Sequence, residues 1–183
     1  MGLMCFNPIS ALQLGDGTNI DRKTPVQVMD QVEAASAGGD HTLVLKVDHT
    51  LWAFGTDDFG QLGNGTKNKQ DVLTPTILMS DVRSISAAGV QSFIIKMDGS
   101  LWGFGGSYPG VLGLGELTSA EEPVKIGDGI IGVFAANTDT FFIKANRSLW
   151  GSGFNDFGQL GNGTKTLQNR PLKIMDNVMS VVE

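Results

Sequence analysis

Cysteine is nearly absent from the sequence: Cys5 is the only one among 183 residues. A lone cysteine cannot form a disulfide within its own chain, and no cysteines and histidines stand at the spacing of a zinc site. The sequence therefore excludes an internal disulfide scaffold and predicts no metal. It also lacks the GxxxxGKS or GxxxxGKT phosphate loop, and we expect no cofactor.

Long hydrophobic runs are missing as well. The longest nearly uncharged apolar stretch, residues 130–136, is far shorter than the roughly 20 residues that cross a bilayer. The first ten residues lack the basic and then apolar segments of a secretory signal. We therefore expect no membrane partner and a cytoplasmic location, or an extracellular one if a targeting segment is absent from this sequence.

Basic residues are fewer than acidic residues, whereas glycine is abundant. Lys and Arg number 13 against 19 Asp and Glu, a net charge of −6. Because binding to phosphate backbones needs clustered basic side chains, this balance argues against nucleic-acid binding. The 25 glycines are about twice the ordinary share. So many turn-forming residues favour a β-rich fold over a helical bundle.

The sequence repeats itself with a period of 48–50 residues. Each unit has an apolar arm that ends in lysine, a Leu-Trp pair, a glycine-rich Leu-Gly segment and a proline. The tryptophan follows the lysine by six residues in every full unit. A fixed order of landmarks at fixed spacing predicts an array of one structural unit. The Leu-Trp pairs are at 51–52, 101–102 and 149–150, and the Leu-Gly segments begin at 13, 61, 111 and 159.

Each unit is predicted to form four strands. In the second full unit these are a small-residue strand at 82–88, an apolar arm at 91–96, a third strand at 101–105 and a fourth opened by Pro123. The Asp98-Gly99 pair is a strong hairpin signal, and proline suits an edge strand because it cannot donate to the ladder. Four antiparallel strands per 40–50 residues are typical of a β-propeller blade, so the predicted fold class is all-β.

These units resemble the repeats of the regulator of chromosome condensation family, which form seven-bladed β-propellers. The third copy departs from the pattern at Pro109, Val111 and Glu116, and the N-terminal LMCFNPISAL is an eroded Leu-Trp strand. The unit phrases are closest to those of bacterial members, which predicts a bacterial or phage origin. The segments that carry the resemblance are SAGGDHTLVLK (36–46), LWAFGTDDFGQLGNGT (51–66), LWGFGGSYPGVLG (101–113), LWGSGFNDFGQLGNGT (149–164) and PLKIMDNVMSVVE (171–183).

The landmarks divide the chain into about three and a half repeats in a single array. Pairing of the two ends would give four blades, two chains that exchange ends would give about eight, and a fragment of a longer protein is the third possibility. We rank self-association or pairing with further blades above a closed four-bladed monomer, since blades shaped for a wider ring would need more curvature to close at four. The predicted units are 1–31 (a partial blade with its third and fourth strands), 32–81, 82–129 and 130–177 (three blades), and 178–183 (the first strand of a further blade).

Trp52, Trp102 and Trp150 occupy the same place in each unit. Periodic apolar positions are usually core, so we expect structural packing between blades rather than a ligand platform. The two histidines, His41 and His49, have no nearby serine or cysteine in a nucleophile motif. Titratable residues do not recur or cluster as a catalytic site requires, and we predict no catalytic residues and no enzyme activity.

Most of the excess negative charge lies on one predicted face. In antiparallel blades the loops that join strands one to two and three to four share a face, called here the long-loop face. It holds 11 acids and 6 bases, against 8 acids and 7 bases elsewhere. It is either a binding face for a basic protein, with Tyr108 as candidate anchor, or a solvated acidic surface. The predicted partner-binding residues are Asp57, Asp58, Tyr108, Glu121, Glu122, Asn155 and Asp156.

The sequence therefore predicts a noncatalytic interaction module that binds another protein through its acidic long-loop face. The family resemblance implies an alternative, the regulation of a small GTPase by guanine-nucleotide exchange. A carbohydrate or surface binding module is the third hypothesis.

Overall fold

The computed structural model describes residues 3–5, 14–66, 70–106 and 108–180. The secondary structure of these residues consists almost entirely of β-strands. In chain order the strands are β1 Leu3–Cys5, β2 Val26–Met29, β3 Val32–Ala37, β4 His41–Lys46, β5 Leu51–Gly55, β6 Val72–Met79, β7 Val82–Ala88, β8 Gln91–Lys96, β9 Leu101–Gly105, β10 Ala120–Gly127, β11 Ile130–Ala135, β12 Asp139–Lys144, β13 Leu149–Gly153 and β14 Gln168–Met175.

The strands form three four-stranded antiparallel sheets and one two-stranded sheet. Blade 1 is β3–β6, blade 2 is β7–β10 and blade 3 is β11–β14, while β1 and β2 form an N-terminal half-blade. Within each blade every strand pairs with the strands next to it in sequence; short turns join the first three strands, and a long loop joins the third to the fourth. The predicted all-β fold of a partial propeller is confirmed.

The hairpin between the second and third strands explains the six-residue spacing from lysine to tryptophan. In blade 2, Asp98 Oδ1 accepts hydrogen bonds from the backbone N–H and the hydroxyl of Ser100 at 2.8 and 2.6 Å. The indole Nε1 of Trp102 donates to the Ser100 hydroxyl at 2.8 Å. Lys96 lies 5.2 Å from the Trp102 ring centroid, a cation–π contact. The same bonds recur at Asp48, Thr50 and Trp52, and at Asn146, Ser148 and Trp150.

The apolar core lies between blades. One buried cluster joins residues such as Leu43 of blade 1 to Phe104 of blade 2, and Trp102 packs against it. A second cluster joins residues of blade 2 to Phe142 of blade 3, and Trp150 packs against it. Burial is therefore supplied by the contact of neighbouring blades, as expected for a repeat array.

The chain continues past blade 3 with the geometry of a link between blades. Asn177 has φ of 61°, and the N–H of Val178 donates to the carbonyl of Arg147 at 2.9 Å. Corresponding bonds begin β7 and β11. Residues 178–180 nevertheless carry no strand, and the rest of the predicted first strand of a further blade lies outside the described residues.

A membrane-spanning helix requires a long, apolar stretch of residues. Across the described ranges, no helix has the length and apolar character that a bilayer span requires.

Candidate interaction surface

A long loop joins the third and fourth strands of each blade. The described residues of these loops are, in chain order, the N-terminal loop of the half-blade (14–25), long loop 1 (56–66 and 70–71), long loop 2 (106 and 108–119) and long loop 3 (154–167). The contact of blade 1 and its long loop 1 with blade 2 is called junction 1, and the contact of blade 2 and its long loop 2 with blade 3 is called junction 2.

A buried polar side chain organises long loops 1 and 3 from within. Asp57 Oδ1 accepts the N–H of Leu62 at 3.0 Å, and Asn155 Oδ1 accepts the N–H of Leu160 at 3.0 Å. Asp57 is 1% exposed and Asn155 is 0% exposed. These two residues were predicted to touch a partner, but their side chains are occupied inside the loops.

At junction 1 the ring of Phe104 fills the space beside Gly63 of long loop 1, called here the notch of the loop. Gly63 has φ of 64°, and a Cβ added there would lie 2.6 Å from the Phe104 ring. A side chain larger than hydrogen would push the ring away, so glycine is required for this approach. The N–H of Gly65 then donates to the carbonyl of Glu121 at 3.1 Å, which joins long loop 1 to the first residues of β10.

A recess of about 70 Å³ opens at junction 1. It is lined by three acidic residues, Asp57, Asp58 and Glu121, together with Phe59, Gly60, Thr66 and Ser119. Burial raises the pKa of Asp57, against the hydrogen bonds from Leu62 and Thr66, and the charge of Glu121 raises it further. Negative charge is therefore concentrated at the recess, and a cationic group bound there would reduce the repulsion between the acidic side chains.

Junction 2 uses the same geometry with different chemistry. The N–H of Gly115 donates to the carbonyl of Asn169 at 2.7 Å, as Gly65 does to Glu121. The Tyr108 ring meets Phe154 edge-on, with centroids 6.0 Å apart and the planes at 85°. Tyr108 is 49% exposed, and the side chain of Arg170 lies against Gly115. This junction presents an exposed aromatic ring and a guanidinium beside a single acid, Glu116, which accepts a hydrogen bond from the Asn169 side chain.

The seven predicted partner-binding residues are thus divided between two successive junctions and the loop beyond them. Four lie at junction 1, one lies at junction 2 and two belong to long loop 3. The exposed members of the set are Asp58, Tyr108, Glu121, Glu122 and Asp156.

Sequence reasoning missed the exposed phenylalanines of the long loops. Phe59 is 45% exposed at junction 1, and Phe157, its equivalent in long loop 3, is 90% exposed. The signal was present in the repeated phrase DFGQLGNGT, which places both residues one position before the first loop glycine. The charge of the loops, on which the predicted binding residues were based, does not point to these two phenylalanines.

His41 is a structural residue that ties blades 1 and 2 together. Its Nε2 lies 2.8 Å from Ser92 Oγ, and that hydroxyl donates to the carbonyl of Gln61 at 2.8 Å. His41 is 0% exposed, and burial lowers its pKa to about 4. The imidazole is therefore neutral at physiological pH and links blade 1 to Ser92 of blade 2, whose hydroxyl in turn holds long loop 1.

A wider cavity lies between the loops that join first and second strands. It has a volume of about 350 Å³ and is lined by small residues and Asn137, with no charged side chain. Within the ranges given above, no three His, Cys, Asp or Glu side chains are grouped so as to hold a metal ion.

Family models match the middle of the chain. The regulator of chromosome condensation (RCC1) repeat is matched by two models, one over residues 32–61 and the other over residues 48–95. These residues include blade 1 and the first two strands of blade 2.

Solved structures show the same fold over nearly the whole chain. The crystal structure of human WBSCR16 is similar with a TM-score of 0.78 and 20% identity, covering 89% of this chain and 46% of that one. Yeast RCC1 (Prp20), in its crystal structure with Kap60, gives 0.78 and 20%, covering 96% and 45%. Prp20p from Saccharomyces cerevisiae gives 0.75 and 22%, covering 96% and 46%. The chain therefore spans slightly less than half of each of these proteins, and at such identities the likeness shows the fold alone.

Proposed function

The chain carries regulator of chromosome condensation repeats, and we propose on that premise that it is a noncatalytic interaction module. Its long-loop face binds a basic segment of another protein. The observation that carries the proposal is the recess at junction 1, where the exposed Asp58 and Glu121 stand beside buried Asp57. A lysine or arginine of a partner would fit a site of this size and charge.

Asp58, Glu121 and Glu122, the exposed acids of junction 1, form no ion pair with another described residue. In the described part of the chain the ion pairs use other carboxylates, namely those of Asp16, Asp128 and Asp176. Tyr108 at the neighbouring junction adds an exposed aromatic ring, the kind of side chain that often anchors an interface. Prp20p, to which the chain is similar, has been studied for binding to Gsp1p and histones. Histones are basic proteins, which agrees with the proposed partner chemistry.

Charge reversal at junction 1 tests the proposal. In the variant D58K/E121K we expect capture of a fluorescent Lys/Arg-rich peptide to weaken by about tenfold or more at low salt, because two attractive contacts become repulsive. The wild-type interaction should also weaken as salt rises.

The matched control is D128K/D176K, which changes the net charge equally. Asp128 and Asp176 follow β10 and β14 in the links between blades, where each forms an exposed ion pair with a lysine three residues before it. Equal weakening in both double variants would contradict the proposal, because it would show a general effect of net charge.

Guanine-nucleotide exchange on a small GTPase is the second candidate. The family resemblance supports it, and so does the likeness of the fold to Prp20p. Release of a fluorescent guanine nucleotide from a panel of GTPases measures it directly. Acceleration by this chain would place exchange ahead of passive binding, and unchanged release across the panel would reject it for those GTPases.

A further inference from the structure

Long loop 3 has the same internal structure as long loop 1. The N–H of Gly161 donates to the carbonyl of Gly158 at 2.9 Å, and the N–H of Gly63 donates to that of Gly60 at 2.9 Å. Gly161 and Gly63 both have φ of 64°. Long loop 3 is therefore already folded in the conformation that long loop 1 uses to hold the following blade.

The surroundings of the two loops differ. An added Cβ on Gly63 would meet the Phe104 ring, and one on Gly15 in the N-terminal loop would meet the Phe54 ring, each at under 3 Å. A Cβ on Gly161 would meet nothing within 4 Å, and the same holds for Gly163. Among the described residues, nothing fills the notch of long loop 3.

The exposure of the loop phenylalanines agrees with this difference. Phe59 lines the recess with Ser119 and Glu121, next to the following blade, and is 45% exposed. Phe157 is 90% exposed. A ring of this size in open water is unfavourable, and burying half of it against a neighbour would stabilise the contact.

The half-blade offers the complementary surface. Glu121 and Asn169, which accept the N–H bonds of Gly65 and Gly115, each stand two residues before a landmark proline. Lys23 stands two residues before Pro25, and its carbonyl accepts no backbone N–H in the described part of the chain. The half-blade thus keeps the acceptor position of a docking surface.

We propose that long loop 3 of one molecule docks onto the β1–β2 half-blade of a second copy of this chain, as long loops 1 and 2 dock onto blades 2 and 3. In that contact the N–H of Gly163 donates to the carbonyl of Lys23 of the other molecule, and Phe157 is half-buried. Two copies that exchange these contacts form a dimer with two-fold symmetry, in which neither copy keeps a vacant long loop 3. The preformed loop lowers the ordering cost of association.

Light scattering on a sizing column, over a dilution series of the full chain, measures the association. We expect a species near twice 19.4 kDa. In F157D the dissociation constant should rise by about a hundredfold, because the dimer holds two Phe157 contacts and half of a buried phenyl ring is worth about tenfold in each. In F59D, the same change in a loop that is already docked, it should stay unchanged. A monomer at every concentration, or equal weakening by the two variants, would overturn the proposal.

Cross-linking tests the contact itself. At junction 2 the side chains of Glu116 and Asn169 are 2.9 Å apart, and their repeat equivalents are Thr164 and Lys23. We expect K23C mixed with T164C, both in a C5S background, to form a covalent heterodimer with a short bifunctional maleimide. K23C mixed with D48C, a cysteine in the hairpin turn after β4, should not. Absence of the K23C–T164C product, or equal yield from both mixtures, would overturn the docking geometry.

Discussion

Junctions 1 and 2 share a backbone and differ in the side chains that complete it. At both, a glycine N–H of the long loop donates to the residue two before a landmark proline, and a serine of the preceding blade accepts an N–H from the next. At junction 1 a phenyl ring fills the notch and acids line the rim. At junction 2 the notch meets Ser152 and Pro171, and the rim carries Tyr108 and Arg170 beside the single acid Glu116. The repeated backbone bonds therefore join the blades in the same way, while the side chains give each junction a different charge and shape.

The largest expected difference between the junctions lies in their notches. Phe104 is 0% exposed and Ser152 is 1% exposed at equivalent positions. We expect F104A to lower the free energy of unfolding by about 3–5 kcal/mol, because a cavity replaces the ring. S152A should lower it by about 1 kcal/mol or less. Urea unfolding followed by tryptophan fluorescence measures both. Similar losses in the two variants would show that the ring does not strengthen junction 1.

The polar ties of the two junctions should respond differently to pH. His41 makes the tie at junction 1, whereas Gln91, its equivalent, donates to backbone carbonyls of blade 3. The pKa of His41 is lowered from 6.5 to about 4, so the unfolded chain takes up this proton at a higher pH than the folded chain. Stability should therefore fall as the pH drops from about 6.5 to 4, by about 3 kcal/mol.

The variant H41Q isolates this effect, since it places at junction 1 the residue that junction 2 uses. The difference in unfolding free energy between wild type and H41Q should change over that pH window and stay constant above pH 7. A constant difference throughout would mean that His41 is protonated as readily in the folded chain as in the unfolded one.

A glycine series separates backbone strain from packing. Gly63, Gly113 and Gly161 have φ of 64°, 68° and 64°, so alanine at each position should meet a similar conformational cost of about 1–2 kcal/mol. A Cβ would lie 2.6 Å from the Phe104 ring at Gly63, 3.1 Å from Pro171 at Gly113 and near nothing at Gly161. At Gly63, overpacking against the ring should add about 2 kcal/mol to this cost, so G63A should be the most destabilising of the three variants and G161A the least. Equal losses would mean that the loops do not press on the next blade.

The repeat made the fold predictable, and it also limited what could be inferred about the site. The spacing from Lys96 to Trp102 recurs because one hairpin and its cation–π contact recur, so strands and blades followed from periodicity. The burial of Asp57 did not follow. Its carboxylate bonds to Leu62, five residues away, through a loop conformation that no periodic pattern describes. An acidic side chain in a loop is usually exposed to solvent. Whether it is instead buried, as Asp57 is, depends on the local backbone geometry.

The smallest expected effect distinguishes a loop-forming acid from a binding acid at junction 1. Burial raises the pKa of Asp57, so the folded chain holds this proton to a higher pH than the unfolded chain does, and stability falls as the pH rises through that window. At neutral pH, D57N should remove this penalty and stabilise the chain slightly, by less than about 1 kcal/mol, because Asn155 already fills the equivalent place in long loop 3. Thermal unfolding and peptide capture are measured on D57N and D58N together. If Asp57 only shapes the loop, capture should weaken in D58N and stay near wild type in D57N; the reverse order would make Asp57 the contact residue despite its burial.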